Sequence, residues 1–245
     1  SIQKVVSHDF LKSGMLLAGR AGKIIDIHVE EFIGYDNSNA VVGQGFATSS
    51  KNIFDNITIG RAVVYNNETF GFDFSDGSAT VDYLESYDNG NGATAGGGKF
   101  AGEFDQKIKI GTLKCHDNDG IGLLSNTDSF TSLHIDRMEL VNNTNDGFDM
   151  GFDGSCFIGS ALVRGNANNG ILQSAGDLTI VQLEGDNNGS NCISCGNDAN
   201  LDIVRIKSKG HASGAAALIS STGTININTL SSADDNNGGA RLVAP

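Results

Sequence analysis

"LVNNTNDGFDMGFD", residues 140–153, places two asparagines at a fixed distance before a glycine and a short alternation of apolar and acidic residues. Nearly the same phrase returns in "KCHDNDGIGLLS" (114–125) and in "VRGNANNGILQS" (163–174). A phrase that recurs at intervals of 20–50 residues is typical of repeat proteins. The repeat as a whole, rather than any single segment, therefore indicates the fold.

Each copy carries a β-type anchor residue eight positions before the recurring asparagine, and successive anchors lie 22 to 30 residues apart. An apolar residue follows three positions after each anchor. The anchors are Val29, Ile59, Val81, Ile110, Ile135, Ile158, Ile180, Ile203 and Ile227, with Ile2 as a less regular tenth. The recurring position holds Asn37, Asn67, Asn89, Asn118, Asn143, Asn166 and Asn188, then His211 and Asp235 in the last two copies.

Copies of this length with alternating segments such as "KIKIG" and "ININ" contain short strands and no helical periodicity. One copy cannot bury a face alone, so the copies must stack, with equivalent strands paired in parallel about 4.8 Å apart. The sequence thus predicts an all-β fold, a right-handed parallel β-helix (solenoid) of about ten coils. Residues 1–245 would form one domain, or a segment of a longer chain. The asparagines would form a hydrogen-bonded ladder at a sharp corner, where Asn tolerates the left-handed conformation.

Composition excludes several classes of function. The net charge of −13 disfavours nucleic acid and anionic membrane surfaces. No apolar run reaches the roughly 18 residues of a membrane span, so we expect no membrane insertion. The four cysteines include a "CISC" at 192–195, which we interpret as buried thiols because a lone CxxC is weak support for zinc.

"NNTNDGFDMGF", "HDNDGIGLL" and "GNANNGIL" resemble the coils of pectate-lyase-like β-helix proteins. That group includes phage tailspike depolymerases, polysaccharide lyases and mannuronan epimerases. "ITIGRAVVYNN" and "IKIGTLKCHDND" are especially similar to tailspike coils. The resemblance covers nearly the whole chain and implies the fold together with an extended polysaccharide as ligand. It does not specify a reaction, because it rests on corner and core residues.

Catalytic motifs of the group are absent or rearranged. An Asp-Pro-His motif, as in alginate lyases and epimerases, is missing because the one proline is Pro245. A polygalacturonase-like site would need Asn-Thr-Asp, an Asp pair, Gly-His-Gly and Arg-Ile-Lys in that order. Here "NTD" stands at 126–128, but "RIK" (205–207) precedes "GH" (210–211) and the Asp pair is missing. We expect Arg205 and Lys207 to be solvated strand residues.

Two carboxylates are the best catalytic candidates. Asp76 and Asp105 both lie five residues before an anchor, on adjacent coils, as Asp153 and Asp198 do elsewhere. Stacking would bring Asp76 and Asp105 to about 5 Å, the separation used by retaining glycosidases, and would raise one of the two pKa values. Alternatively, the two carboxylates bind Ca²⁺ between them. A third interpretation is purely structural, in which each aspartate caps a turn. Apart from this Ca²⁺, we expect no cofactor.

A substrate groove would lie beside these acids. Asp73 and Asp149 should face outward on the same side of the rod, three coils or about 14 Å apart. We interpret residues 90–106 as a flexible insertion. Its second half contains Lys99, Glu103 and the catalytic candidate Asp105. We predict that Asp73, Lys99, Glu103, Asp128 and Asp149 bind substrate.

Tyr35, Tyr65 and Tyr87 stand two positions before the recurring asparagine in successive copies and should form an aromatic column, either as sheet packing or as a sugar-stacking strip.

These patterns favour a β-helix that processes or binds a polysaccharide as a glycosidase or a lyase. The alternatives are a non-catalytic adhesion or structural rod and an alginate-type lyase or epimerase. Open solenoid ends expose strand edges, so we expect a homo-oligomer such as a trimer, or further domains that cover the ends. The tailspike resemblance implies an extracellular or virion-surface location.

Overall fold

The computed structural model describes residues 1–11, 13–18, 26–38, 45–49, 56–75, 77–92, 95–101, 106–125, 130–196, 199–212, 217–219, 223–233 and 241–242. Odd-numbered strands pair in parallel as one ten-stranded sheet (the long sheet), and even-numbered strands pair as a second (the short sheet). Each coil thus gives one strand to each sheet, which confirms the parallel β-helix. The strands are β1 (Ile2–His8), β2 (Met15–Ala18), β3 (Asp26–Tyr35), β4 (Phe46–Ser49), β5 (Asn56–Tyr65), β6 (Phe70–Phe74), β7 (Ala79–Tyr87), β8 (Gly96–Phe100), β9 (Gln106–His116), β10 (Ile121–Ser125), β11 (Phe130–Val141), β12 (Phe148–Met150), β13 (Ser155–Arg164), β14 (Ile171–Gln173), β15 (Asp177–Asp186), β16 (Ile193–Cys195), β17 (Asn200–Lys209), β18 (Ala217–Ile219), β19 (Ile225–Ala233) and β20 (Arg241–Leu242).

The strand register reproduces the predicted repeat. The anchors form one column through the long sheet, from the pair Ile2 and Val29 to the pair Ile203 and Ile227. The ten strands in each sheet agree with about ten coils, whereas the unbroken run of ladder asparagines covers only the seven coils from Asn37 to Asn188.

Each long strand bends once, immediately after its anchor. In β5, Ile59 and Ala62 are buried, while Gly60 and Arg61 between them both face outward. Two consecutive outward residues interrupt the usual alternation, so the strand turns a corner and continues along a second face. This bend explains why every copy needs two apolar residues three positions apart.

The asparagine ladder runs along the corner that follows the long sheet. The backbone N–H and the Nδ2 of one asparagine both donate to the Oδ1 of the asparagine in the next coil. Asn118 Nδ2 lies 2.9 Å from Asn143 Oδ1, and Asn143 Nδ2 lies 2.9 Å from Asn166 Oδ1. Every ladder asparagine from Asn37 to Asn188 is buried. The predicted ladder is therefore confirmed, and it satisfies backbone donors that the corner would otherwise leave unpaired.

The left-handed conformation belongs to the residue before each ladder asparagine, and not to the ladder residue itself as the sequence suggested. The backbone φ lies between 52° and 59° where this residue is not glycine, and it is 63° at Gly165 and 68° at Gly210. Short side chains with a local hydrogen-bonding group tolerate this conformation, which explains the choice of Asp or Asn. The non-glycine residues at this position are Asp9, which precedes Phe10 in the first coil, and Asp36, Asn66, Asp88, Asp117, Asn142 and Asn187, which precede ladder asparagines; Gly165 stands before Asn166 and Gly210 before His211.

His211 occupies the ladder position in the ninth coil. Its Nδ1 accepts from the backbone N–H of Asn188 at 3.2 Å, and its Nε2 lies 2.8 Å from Ser208 Oγ. An acceptor Nδ1 requires the tautomer that carries hydrogen on Nε2. The predicted structural role of His211 is therefore supported by geometry.

A second, shorter ladder lies at the corner that leads into the short sheet. Asn169 donates to Asp146 Oδ1 from both its backbone N–H and its Nδ2, each at 2.9 Å. Asn191 Nδ2 donates in turn to Asn169 Oδ1 at 2.9 Å. Two corners of the coil are thus fixed by side-chain hydrogen bonds.

Aromatic rings fill the core beneath strands β6 and β8 of the short sheet. Phe72, Phe74 and Phe100 are fully buried, with ring centroids 5.6 to 5.9 Å apart. The ring of Phe72 lies over Gly98, where a Cβ would come within 1.9 Å of it. Position 98 therefore requires glycine, because any side chain there would overlap the Phe72 ring.

All four cysteines are free and buried, as interpreted from the sequence. Burial raises the pKa of the Cys195 thiol to about 11 and also raises the pKa values of the Cys115 and Cys156 thiols. These thiols are inert side chains of the core. Among the residues that the structure describes, there is no helix long and apolar enough to cross a membrane.

Candidate functional site

The two predicted catalytic residues, Asp76 and Asp105, lie outside the described residues, and so do Glu103 and Asp128. Their roles stay predictions from the sequence. The remaining predicted site residues, Asp73, Lys99 and Asp149, all lie on the short sheet.

Asp73, Lys99 and Asp149 share one outward column of the short sheet, with Leu124 between the last two. Asp73 and Asp149 are three strands apart, as predicted. Asp73 nevertheless has only 8% of its surface exposed and accepts a hydrogen bond from Ser75 Oγ. It faces outward in register but offers a ligand little surface.

The interpretation of residues 90–106 as one flexible insertion is wrong for Gly96–Phe100, which form strand β8 between β6 and β10. A run of three glycines disfavours a strand, which is why the sequence pointed to a loop. The pairing on both sides and the packing of the Phe72 ring over Gly98 outweigh that preference. Lys99 is thus fixed on a sheet.

Asp149 is the described acid with the most unusual environment in this column. Burial raises the pKa of the Asp149 carboxyl, and the nearby charge of Asp146 raises it further. Asp146 itself accepts two hydrogen bonds from Asn169. Ionisation of Asp149 therefore lowers the free energy of unfolding of the protein.

We expect Asp149→Asn to stabilise the fold near neutral pH by less than about 1 kcal/mol. The cost of ionising Asp149 is fully present above its raised pKa and disappears below the ordinary pKa of an aspartate, where both folded and unfolded chains are protonated. Urea unfolding at neutral and at acid pH measures the difference. Asp153→Asn, at an exposed position, is the matched control. A variant that is less stable than the parent near neutral pH would contradict the assignment.

A groove crosses the outer side of the long sheet, along the first halves of strands β5, β7, β9 and β11. It encloses about 360 Å³ and spans four successive coils. Thr58, Thr80, Lys109 and His134 form its central column, one residue from each strand. A second column at its edge contains Ser78, Lys107 and Ser132. Its described lining therefore presents hydroxyls, two amines and one imidazole at intervals of one strand.

His134 closes the groove at the β11 end. Its Nε2 lies 2.8 Å from Asp136 Oδ1, and its ring stacks on Phe157 with centroids 4.8 Å apart. These two contacts fix the orientation of the imidazole. At the β9 strand, the backbone N–H of Lys107 donates to Ser78 Oγ at 3.3 Å, so the Ser78 hydroxyl keeps its own hydrogen for donation.

The predicted tyrosine column exists and is longer than expected. His8, Tyr35, Tyr65, Tyr87 and His116 stack in one row, with centroids 4.9 to 5.1 Å apart and planes within 11° of parallel. Both faces of each tyrosine ring are thus covered by neighbouring rings. The sheet-packing interpretation is supported, and the tyrosine faces are not available to stack on a sugar.

A polar network borders the aromatic column. Tyr83 Oη donates to Glu85 Oε2 at 2.9 Å, and Lys114 and Arg137 both pair with Glu139. Burial alone would raise the pKa of Glu139, but the hydrogen bonds from Lys114 and Arg137 outweigh it and hold this pKa below its usual range. Glu139 is therefore a fixed anion and is poorly suited to act as a general acid.

Within the described part of the chain, no three His, Cys, Asp or Glu side chains are grouped to hold a metal ion. Among family models, curated proteins and solved structures, none matches this chain. The fold is consistent with a polysaccharide-binding or a structural rod. A choice between the two has to come from the surface itself.

Proposed function

We propose that this β-helix binds an extended polysaccharide lengthwise in the groove on the long sheet. The single observation that carries the proposal is the continuity of that groove over four coils, with a polar side chain in the same column of each. A ligand that repeats along its length can then make a similar contact in every coil, at about 4.8 Å intervals.

The chemistry of the lining supports a sugar ligand. Thr58, Thr80, Ser78 and Ser132 supply hydroxyls that both donate and accept, as the hydroxyls of a glycan require. The strands beneath them are rigid and densely paired, so the groove exists before the ligand arrives and little ordering is needed on binding. The resemblance to tailspike and polysaccharide-lyase coils favours the same class of ligand. The tailspike analogy would also place the chain at a virion or cell surface, in a trimer or beside further domains.

A bulky residue in the groove tests this proposal. We expect Thr80→Trp to weaken glycan binding at least about tenfold, because the indole would occupy the central column. Thr179→Trp is the matched control, since Thr179 belongs to the same column but lies outside the groove. Binding is measured by calorimetry and glycan-array retention with neutral and acidic polysaccharides. If the parent chain retains no polysaccharide, the structural-rod alternative is favoured. If both variants bind as the parent does, the groove is not the binding site.

Cleavage of the bound glycan is a second candidate function. Two groove residues, Ser78 and Lys107, each follow a predicted catalytic acid by two positions, Asp76 and Asp105 respectively. Reducing ends report a glycosidase, and the absorbance of unsaturated products reports a lyase. Loss of turnover with retained binding in Asp76→Asn and Asp105→Asn would support catalysis. Turnover that is unchanged in both variants would remove these residues from the mechanism.

A further inference from the structure

Five asparagines of this chain are followed directly by glycine, a pair that is prone to lose ammonia from the asparagine side chain. Asparagine is among the thermolabile residues of proteins. A following glycine has no Cβ to shield the backbone nitrogen that attacks the carboxamide. The asparagines are Asn89, Asn91, Asn169, Asn188 and Asn237. The last pair lies outside the described residues, so the structure distinguishes four sites.

Asn89 shows how the main ladder holds both reacting groups of such a pair. Its Nδ2 lies 2.9 Å from the carbonyl oxygen of Tyr87 and 3.1 Å from Asn118 Oδ1. The N–H of Gly90 donates to the carbonyl of Asn67 at 2.9 Å. The carboxamide and the attacking nitrogen are thus held by the coils on either side, so the corner must open before the two can react.

Asn169 and Asn188 are held in the same way, the first in the shorter ladder and the second in the main one. Asn169 Nδ2 donates to Asp146 Oδ1 at 2.9 Å, and Asn188 Nδ2 donates to the carbonyl of Val163 at 3.2 Å. In both pairs the N–H of the following glycine donates to a carbonyl of a neighbouring coil at 2.8 Å. Both pairs therefore also need a local opening before they react.

Asn91 differs from these three asparagines. It is exposed, and none of the described residues hydrogen-bonds to its carboxamide or to the N–H of Gly92. Gly92 has a φ of 115°, and a Cβ added there would have no described residue other than its chain neighbours within 4 Å. The Asn91 side chain can therefore rotate until its Cγ meets the Gly92 nitrogen without breaking a contact to any described residue.

From this contrast we infer that Asn91 is a site of spontaneous deamidation, and that the two ladders protect Asn89, Asn169 and Asn188. The Gly92 nitrogen loses its proton and bonds to Cγ of Asn91, and the Cγ–Nδ2 bond breaks as Nδ2 takes up a proton and leaves as ammonia. Water then opens the resulting cyclic imide at either carbonyl, which gives aspartate or isoaspartate. The net reaction consumes one water and adds one negative charge to a chain of net charge −13. It does not depend on glycan binding.

The test incubates the folded chain and the guanidinium-unfolded chain side by side at mildly alkaline pH. Peptide fragmentation in the mass spectrometer locates the mass increase and separates Asn89 from Asn91. The unfolded chain supplies the intrinsic rate of each pair. We expect Asn91 to react at the same rate in both states, within about threefold. We expect Asn89, Asn169 and Asn188 to react at least about tenfold more slowly in the folded chain.

Asn91→Ser removes the exposed carboxamide and is expected to abolish the mass increase at this position in the folded chain. Asn168→Ser is the matched control, because it removes another exposed carboxamide that no glycine follows. We expect it to leave the reaction at Asn91 unchanged. If Asn91 does not react in the folded chain, or is protected as strongly as the other three, the inference is wrong. If all four pairs react as fast in the folded as in the unfolded chain, the ladders give no protection and that half of the inference is wrong.

Discussion

Asn143→Ala is expected to destabilise the fold by about 4 kcal/mol, a large part of the roughly 5–15 kcal/mol by which a typical native protein is stable. The Asn143 side chain accepts from the backbone N–H and the Nδ2 of Asn118, and it donates to Asn166 Oδ1 and to the carbonyl of Cys115. Alanine removes all four contacts at a buried corner. The groups left without a partner are then unable to reach water, which costs more than the lost bonds alone.

Urea unfolding followed by circular dichroism measures this effect. Asn168→Ala is the control, because Asn168 lies two residues beyond a ladder position but is exposed. We expect its effect to stay within about 0.5 kcal/mol. An intermediate variant, Asn143→Asp, keeps the acceptor and loses the donor toward Asn166. If Asn143→Ala is nearly as stable as the parent, the hydrogen bonds of the ladder form at the corner but do not stabilise the fold.

Gly98→Ala should also destabilise strongly, by about 3 kcal/mol. Its Cβ would lie 1.9 Å from Cζ and 2.3 Å from Cε1 of Phe72. The Phe72 ring cannot move aside, because it is fully buried and packs on Phe74 and Phe100. The strand must shift instead, and with it the pairing of β8 to both neighbours.

A compensating substitution separates crowding from backbone effects. Phe72→Leu removes ring atoms above residue 98, so the double variant Phe72→Leu/Gly98→Ala should be more stable than Gly98→Ala alone. Gly196→Ala is the control, since its added Cβ would come no closer than 3.5 Å to any atom. If the double variant is less stable than Gly98→Ala, steric overlap with Phe72 is not the cause. Thermal unfolding of the four chains completes the comparison.

Features that recur in every coil could be predicted because the same physical requirement acts on each of them. Val29, Ile110 and Ile203 occupy equivalent buried positions, so each needs an apolar β-former, and the pattern is visible in the sequence alone. The ladder was predictable for the same reason, because a buried corner with a free N–H needs the same amide in coil after coil. The outward column of Asp73 and Asp149 followed from strict alternation on short strands.

Features that depend on contacts between coils of different sequence could not be predicted. The groove is lined by residues of four coils, and a single copy does not reveal which side chains the neighbouring coils bring beside its own. The ladder from Asp146 to Asn191 was not predicted, because these residues lie in polar segments that resemble loops. The sequence does contain a signal for it, since Asp146, Asn169 and Asn191 each lie three residues after a residue of the main ladder.

The hydrogen-bonded column of amides also implies that the order of the coils matters. A carboxamide accepts from the coil before it and donates to the coil after it, so coils that carry Asn118, Asn143 or Asn166 are interchangeable in this respect. The imidazole of His211 accepts from Asn188 and turns its other nitrogen back to Ser208 of its own coil. A shuffled chain with that coil in the middle would interrupt the relay of side-chain amides at this point. The repeats are therefore alike in shape, but they are not equivalent parts of the rod.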